Sequence, residues 1–402
     1  MEEEQKKYGL FTAIALTIGI VIGSGIFFKS EEIAGAIGSN MLLGVLAWVT
    51  GGIITMSMAY TFAILATKID VAGGPIGYAE VMCNKKYSKV FGGYLALIYF
   101  PITIAILAWV AATYTTQLLD FNDDPIIIIS ISAIYIALIY FMNIMSPKIA
   151  GHFAVSTVVI KLIPLILMGV VGIILGITNG TTLENINSNY QGSPQGGFFI
   201  ALIATSFAFG GWLDGATLSS AIKNPKKNLP IAMTGGVLLI LVIYVLYYLG
   251  TFGALNIVDM SNNGTILAFE RLFGHIAGPI LFVFIIISCL GSCNGLTMAG
   301  SHSFELMLPK KVNKKNAQLI YLVLIILCLL IWGGNYFSWW NIPLSNSVVI
   351  IFNILLIPIM IGMMIKLKEL KVFNRFVMPS IAILGALFLF TSMILIDFFQ
   401  II

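Results

Sequence analysis

The chain has 402 residues, 59% of them hydrophobic and only 9% charged, with a mean hydropathy of +1.01; soluble domains carry about a quarter charged residues. That balance excludes a water-facing multidomain protein. The net charge of +4 sits on lysines in short segments between apolar runs, which argues against nucleic acid as a partner.

The first residues, Met-Glu-Glu-Glu-Gln-Lys-Lys, have no small-residue cleavage site nearby, and the apolar run behind them is too long for a signal-peptide core. A helix crossing a bilayer needs about 20 mostly apolar residues, with its backbone polar groups satisfied internally. Eleven runs fit this rule, at about 9–28, 40–66, 88–118, 126–142, 149–176, 197–222, 229–253, 274–307, 317–333, 345–365 and 376–397. The expected fold is an all-α polytopic membrane protein, one transmembrane domain over residues 1–402. The longest polar stretch, 178–196, is a loop rich in Asn, Gly, Thr and Ser.

Lysine and arginine set the orientation. With the N-terminus inside, 18 of the 21 basic residues fall on the inner side, among them Lys85, Lys86, Lys89, Lys366, Lys368, Lys371 and Arg375. Lys29 and Arg271 fall outside, and Lys161 lies within a span. The expectation is a multi-pass protein of the cell membrane with a cytoplasmic N-terminus and an extracellular C-terminus. Cys83, Cys289, Cys293 and Cys328 form neither a zinc set nor a disulfide framework, so inert thiols are expected. No Walker motif, dinucleotide fingerprint or His/Glu metal pattern appears, so no cofactor or metal is expected.

Two spans carry paired glycines. Span one holds Gly23-Ser24-Gly25 within Ile20-Val-Ile-Gly-Ser-Gly-Ile-Phe27, and span six holds Gly210-Gly211 within Ser206-Phe-Ala-Phe-Gly-Gly-Trp212. Glycine costs a helix interior about 1 kcal/mol relative to alanine, and two close together let it unwind. Unwound backbone at membrane depth is tolerated where it faces a cavity or ligand. Half-helix N-termini then suit a carboxylate and freed carbonyls an ammonium group. Close helix packing is the commoner role of either glycine cluster alone. Their placement favours a site: each opens a five-span unit, one entered from inside and the other from outside, as in an inverted repeat. The repeats run over about 9–176 and 197–365, with an extra helix at about 376–397.

Gly23-Ser-Gly-Ile-Phe27, Phe207-Ala-Phe-Gly-Gly-Trp212 and Lys223-Asn-Pro-Lys-Lys-Asn-Leu-Pro-Ile-Ala232 resemble the amino acid–polyamine–organocation superfamily of permeases, in its L-amino-acid transporter branch and bacterial relatives. Gly73-Gly74 with Tyr78, and Leu308-Pro309, fit the same pattern. The resemblance implies a LeuT-type 5+5 inverted-repeat fold with discontinuous helices one and six. It implies that the amides of Ser24 and Gly25 bind a substrate α-carboxylate. The carbonyls of Val21, Phe207 and Gly210 would bind its amino group, with Gly23 and Ala208 in the same unwound segments. Phe207 would be an aromatic gate, and Phe209 and Trp212 would wall the pocket or support that gate. The chain departs from the family at Ile64, where a Glu is usual, at Ser220 and Ala221, where acidic residues are favoured, and in having eleven spans rather than twelve.

Lys161, in Val159-Ile-Lys-Leu-Ile-Pro164, lies about a dozen residues from either end of span five. A charge there costs at least about 2.5–3.5 kcal/mol, so function is the default expectation over snorkelling. By resemblance it stands where sodium-coupled relatives hold a cation, reaching carbonyls near Gly23. Asp214 would cap or line an inner vestibule or reach water, and Ser292 and Asn294 could line the pocket. His152 and His302 fall near inner ends, in solvated roles.

Three functions compete. The first is sodium-independent transport of neutral L-amino acids by exchange or facilitated diffusion, with no partner subunit beyond the cargo and the lipid bilayer. The second is proton-coupled symport of amino acids or small amines on the same fold. The third, a membrane enzyme or sensor, would need clustered titratable groups at one face or a soluble output domain, and neither is found.

Overall fold

A computed structural model describes residues 9–38, 40–69, 71, 73–121, 124–187, 197–214, 216, 222–260, 264–308, 312–340 and 343–397. Almost every apolar run becomes a helix, because in lipid the backbone finds its partners only within the segment. In chain order these are α1 (Leu10–Val21), α2 (Gly25–Ala36), α3 (Met41–Lys68), α4 (Pro75–Met82), α5 (Lys85–Tyr94) and α6 (Phe100–Leu118). They continue with α7 (Pro125–Met145), α8 (Pro147–Thr178), α9 (Thr181–Asn187), α10 (Gly197–Ala208), α11 (Pro225–Ala254) and α12 (Ile257–Met260). The last are α13 (Gly264–Phe273), α14 (Ala277–Met307), α15 (Lys314–Tyr336), α16 (Leu344–Lys366) and α17 (Met378–Asp397). A π-helical turn, Leu95–Tyr99, joins α5 to α6, and a second, Phe373–Val377, leads into α17.

Among the described residues, nine helices are long and apolar enough to cross a membrane, and α1 with α2, bent by 44° at the break, makes a tenth. The remaining predicted span, 197–222, holds the shorter helix α10 and the turn behind it; residues 215 and 217–221, with the Ser220 and Ala221 departures, lie outside the described residues, as does Pro309. Side-chain caps set several boundaries. Asn40 accepts from the Leu43 amide at 3.1 Å, Asp124 from Ile126 at 2.8 Å and Asn313 from Lys315 at 3.1 Å.

One boundary needs correction. Span one was expected to end at 28 with Lys29 in an outer loop, but α2 continues to Ala36 and buries Lys29. Lys29 pairs with Glu32 one turn on and lies over the Phe28 and Phe207 rings, 5.0 and 5.6 Å from their centroids. A local ion pair lets the helix carry charges that read as a loop.

The core is held by close backbone approach as much as by side chains. Along α8 and α11, a β-carbon on Gly172 would lie 2.1 Å from the Gly250 carbonyl oxygen, and one on Gly253 would lie 2.1 Å from that of Gly172. Such small-residue seams let membrane helices pack at the distance where dispersion contacts are densest. On one end of the bundle, Lys366 of α16 donates to the Val81 carbonyl at 2.7 Å, tying α16 to the last turn of α4, just ahead of Lys85 and Lys86 in α5.

Candidate functional site

α1 stops at Val21. Ile22 leaves helical conformation (φ −75°, ψ 90°) while still donating to Ile18, and the Gly23 amide closes a tight turn onto the Val21 carbonyl at 2.9 Å. α2 restarts at Gly25. The amides of Ser24, Gly25 and Ile26 donate to no acceptor among the described residues, so they are the orphan donors of a helix N-terminus at mid-bundle.

The second break mirrors the first. After α10 the Phe209 amide bonds to Thr205 at 3.0 Å and the Gly210 amide to Phe207 at 2.9 Å. Gly211 then turns with φ +93°, a conformation that favours glycine. A β-carbon on Gly211 would stand 2.7 Å from Ile20 Cγ2, so the two breaks abut.

Between them lies a cavity of about 20 Å³, room for about one water molecule. Of the predicted residues it brings together Val21, Gly23, Gly25, Phe207 and Gly210, and adds Ile20, Tyr99, Thr103, Leu107, Gly211, Leu296 and Val349. Ser24 stands just behind, its buried hydroxyl beside the Cys289 thiol but outside hydrogen-bond geometry. The Ala208 carbonyl accepts from the Tyr244 hydroxyl at 3.1 Å, and the same hydroxyl lies 3.4 Å from the Val21 carbonyl. Phe209 and Trp212 do not wall the cavity. Phe209 packs against Trp48 and Tyr244, with ring centroids 5.9 and 5.3 Å away, and Trp212 stands edge-on to Phe62 at 5.7 Å. Both are buried in the core.

Lys161 is fully buried. Its ammonium donates to the Gly19 carbonyl at 2.5 Å and to Ser292 Oγ at 2.9 Å. The carbonyl it reaches is in the last turn of α1 rather than at Gly23, because α8 crosses α1 below the break. Ser292 lies 2.9 Å from the Gly19 oxygen and 3.1 Å from the Ile22 oxygen, and Ser288 donates to Gly23 at 3.1 Å. One lysine and two serines thus hold the carbonyls that the break frees. Asn294 does not line the cavity; it bonds to Asn143 at 2.9 Å and to the Ala150 carbonyl at 2.8 Å. Asp214 does not reach water: it is buried, and the Tyr99 hydroxyl donates to it at 3.2 Å. His152 is exposed and His302 half-buried.

Sequence reasoning missed Tyr99 and Tyr244. Pro101 signals the first, since it offers no amide to the preceding turn and a π-helical turn forms there. Tyr244, Tyr247 and Tyr248, all buried on one face of α11, signal the second.

The sequence model of one family, described as amino acid permease, matches residues 8–401. The chain belongs to that family. It is 32% identical over 298 residues to the serine/threonine exchanger SteT of Bacillus subtilis (strain 168), a match covering 73% of this chain and 66% of that protein. It is 28% identical over 319 residues to the large neutral amino acids transporter small subunit 2 of Oryctolagus cuniculus, covering 75% and 57%. The b(0,+)-type amino acid transporter 1 of the same species is 24% identical over 299 residues, covering 72% and 60%. The matches thus span 57–66% of the length of these relatives. Among solved structures, MhsT in complex with L-phenylalanine is similar at a TM-score of 0.67 and 16% identity, covering 95% of this chain and 98% of that one. The fold of this family member is therefore LeuT-type, on a multi-pass membrane protein.

Proposed function

We propose that the protein is a secondary transporter of neutral L-amino acids, working by alternating access and independently of sodium, through exchange or facilitated diffusion. The observation that carries this reading is the cavity itself: two helix breaks abut at mid-bundle, presenting orphan amides at Ser24 and Gly25 and carbonyls at Val21, Phe207 and Gly210. Amides at a helix N-terminus suit the α-carboxylate, and carbonyls suit the α-amino group. The Phe207 carbonyl accepts one amide and keeps a second lone pair for the substrate, whereas the Val21 carbonyl accepts the Gly23 amide and shares the Tyr244 hydroxyl, which a substrate ammonium would displace. Phe207 lines the cavity and packs on Phe28 at 5.7 Å, as a gate on its outer side would.

Neutral cargo follows from the lining, which has the hydroxyls of Tyr99 and Thr103 but no ionisable acid or base among its other residues. The relative named a serine/threonine exchanger agrees with a small, neutral side chain. Lys161 supports sodium independence, since a fixed ammonium already occupies an α1 carbonyl beside the break. The proposed partners are the amino-acid cargo and the lipid bilayer. The same proposal has the N-terminus in the cytoplasm and the C-terminus outside, with repeats at about 9–176 and 197–365 and an extra helix at about 376–397.

Counterflow into proteoliposomes with a panel of the twenty amino acids tests this. Small neutral substrates should exchange, and a preference for cationic or anionic ones would refute the reading. Proton-coupled symport is the second reading, favoured by a buried Lys161 whose two acceptors are both neutral. Uptake driven by an imposed pH gradient, without substrate on the far side, would select it.

A further inference from the structure

Phe207, the proposed gate, also meets a charge. The Lys29 ammonium, outside the cavity lining, sits over its ring at 5.6 Å. Lys29 is 3% exposed, and buried lysines are rare unless their charge is well matched. Here the match is incomplete. The ammonium has three N–H donors, and among the described residues its one hydrogen-bond acceptor is Glu32, itself 34% exposed. The Phe28 and Phe207 rings offer only the weaker attraction of their faces. Lys161, by contrast, finds both a carbonyl and a hydroxyl.

The origin of each contact decides what it does. Glu32 and Phe28 belong to α2, as Lys29 does, and travel with it. Phe207 alone belongs to α10. In an opening that parts the outer end of α2 from α10, the ammonium would keep its carboxylate, lose the ring and regain water for its unmatched donors. Desolvating an ion costs more than a ring face returns, so the charge resists closure. A contact that differs between two states shifts their balance by that difference alone.

We propose that Lys29 is a positioning residue that drives release of the outer gate, an under-matched charge buried when Phe207 closes and hydrated when it opens. This rests on reading Phe207 as the gate of an alternating-access carrier. Glu32 acts in the opposite sense, as the acceptor that makes closure tolerable.

The test follows the reaction of Val349→Cys, a cavity-lining position, with a membrane-impermeant thiol reagent added to intact cells, using the protein without that substitution as the blank. Lys29→Met should slow labelling roughly tenfold and slow exchange, with substrate affinity kept or raised. Lys29→Arg, which retains the charge, should label as the parent does. Glu32→Gln should label faster than the parent, whereas loss of packing alone would move both variants the same way. Labelling of Lys29→Met at or above the parent rate, or of Glu32→Gln at or below it, overturns the proposal. Phe207→Ala separates the two claims. If it fails to speed labelling, the gate assignment falls and the proposal with it; if it does speed labelling while Lys29→Met does not slow it, only the role of Lys29 falls.

Discussion

Gly25 and Ala208 meet backbone to backbone: a β-carbon on Gly25 would stand 2.8 Å from the Ala208 Cα. The start of α2 is seated on the end of α10, with no flexible side chain between them to give way. Gly25→Ala must therefore displace one half-helix and misalign the orphan amides beside it. We expect at least tenfold weaker substrate binding, because small misplacements of binding groups cost about that much or more. Membrane insertion should be normal. Gly235→Ala, at a position with nothing within 4 Å, is the control and should bind as the parent does. Equilibrium binding to both purified variants checks this, and an unaffected Gly25→Ala would remove the site from this break.

Lys161→Gln should abolish most uptake. It replaces a cation that bridges α8, α1 and α14 by a shorter neutral group, and hydrogen bonds from charged donors are worth about 1.5–3 kcal/mol each. In the parent protein, replacing sodium by choline should leave uptake unchanged. Radiolabelled uptake in the two media measures both, and strong sodium dependence of the parent would contradict the role given to Lys161.

Tyr244→Phe keeps the ring against Trp48, 5.2 Å away, but removes the donor shared by the Ala208 and Val21 carbonyls. Val21 still accepts from Gly23, so the loss should be that of a single hydrogen bond, about 0.5–1.5 kcal/mol. Apparent substrate affinity should fall by a few-fold in binding assays, with no change in monodispersity.

Tyr99→Phe takes a donor away from a buried carboxylate, which costs about 1–3 kcal/mol, while Asp214→Asn keeps a partner for the Tyr99 hydroxyl. The double variant should be less destabilised than the two single effects summed, with a coupling of about 0.5–3 kcal/mol as expected for residues in contact. Thermal inactivation of all four forms completes the cycle. Strict additivity would place the two groups out of contact in the working protein.

Much of this architecture could be read from residues alone. Apolar length located the helices to within a few residues wherever a cap such as Asn40 or Asp124 closed the run. It failed at Lys29, because an i,i+3 pair with Glu32 and two aromatic faces let a charged stretch remain helical and buried. The glycines of both breaks were legible because they are local in the chain. Tyr99, Leu296 and Val349 were not, since three separate helices bring them to the cavity and nothing in their own neighbourhoods marks them. Phe209 and Trp212 lie off the cavity lining and pack into the core, a matter of a few torsions that spacing does not encode.

The glycine seam between α8 and α11 bears on how such a molecule can move. Helices in contact through carbonyl oxygens cannot slide without collision, so α8 and α11 form one rigid strut. Lys161 rides on one member and Tyr244 on the other, and both grip the end of α1. Their separation is then a fixed ruler within the molecule, against which movement of α1 in the proposed transport cycle can be measured. Spin labels placed across the α8–α11 seam should report one narrow distance under all conditions, whereas labels between α1 and the strut should report two.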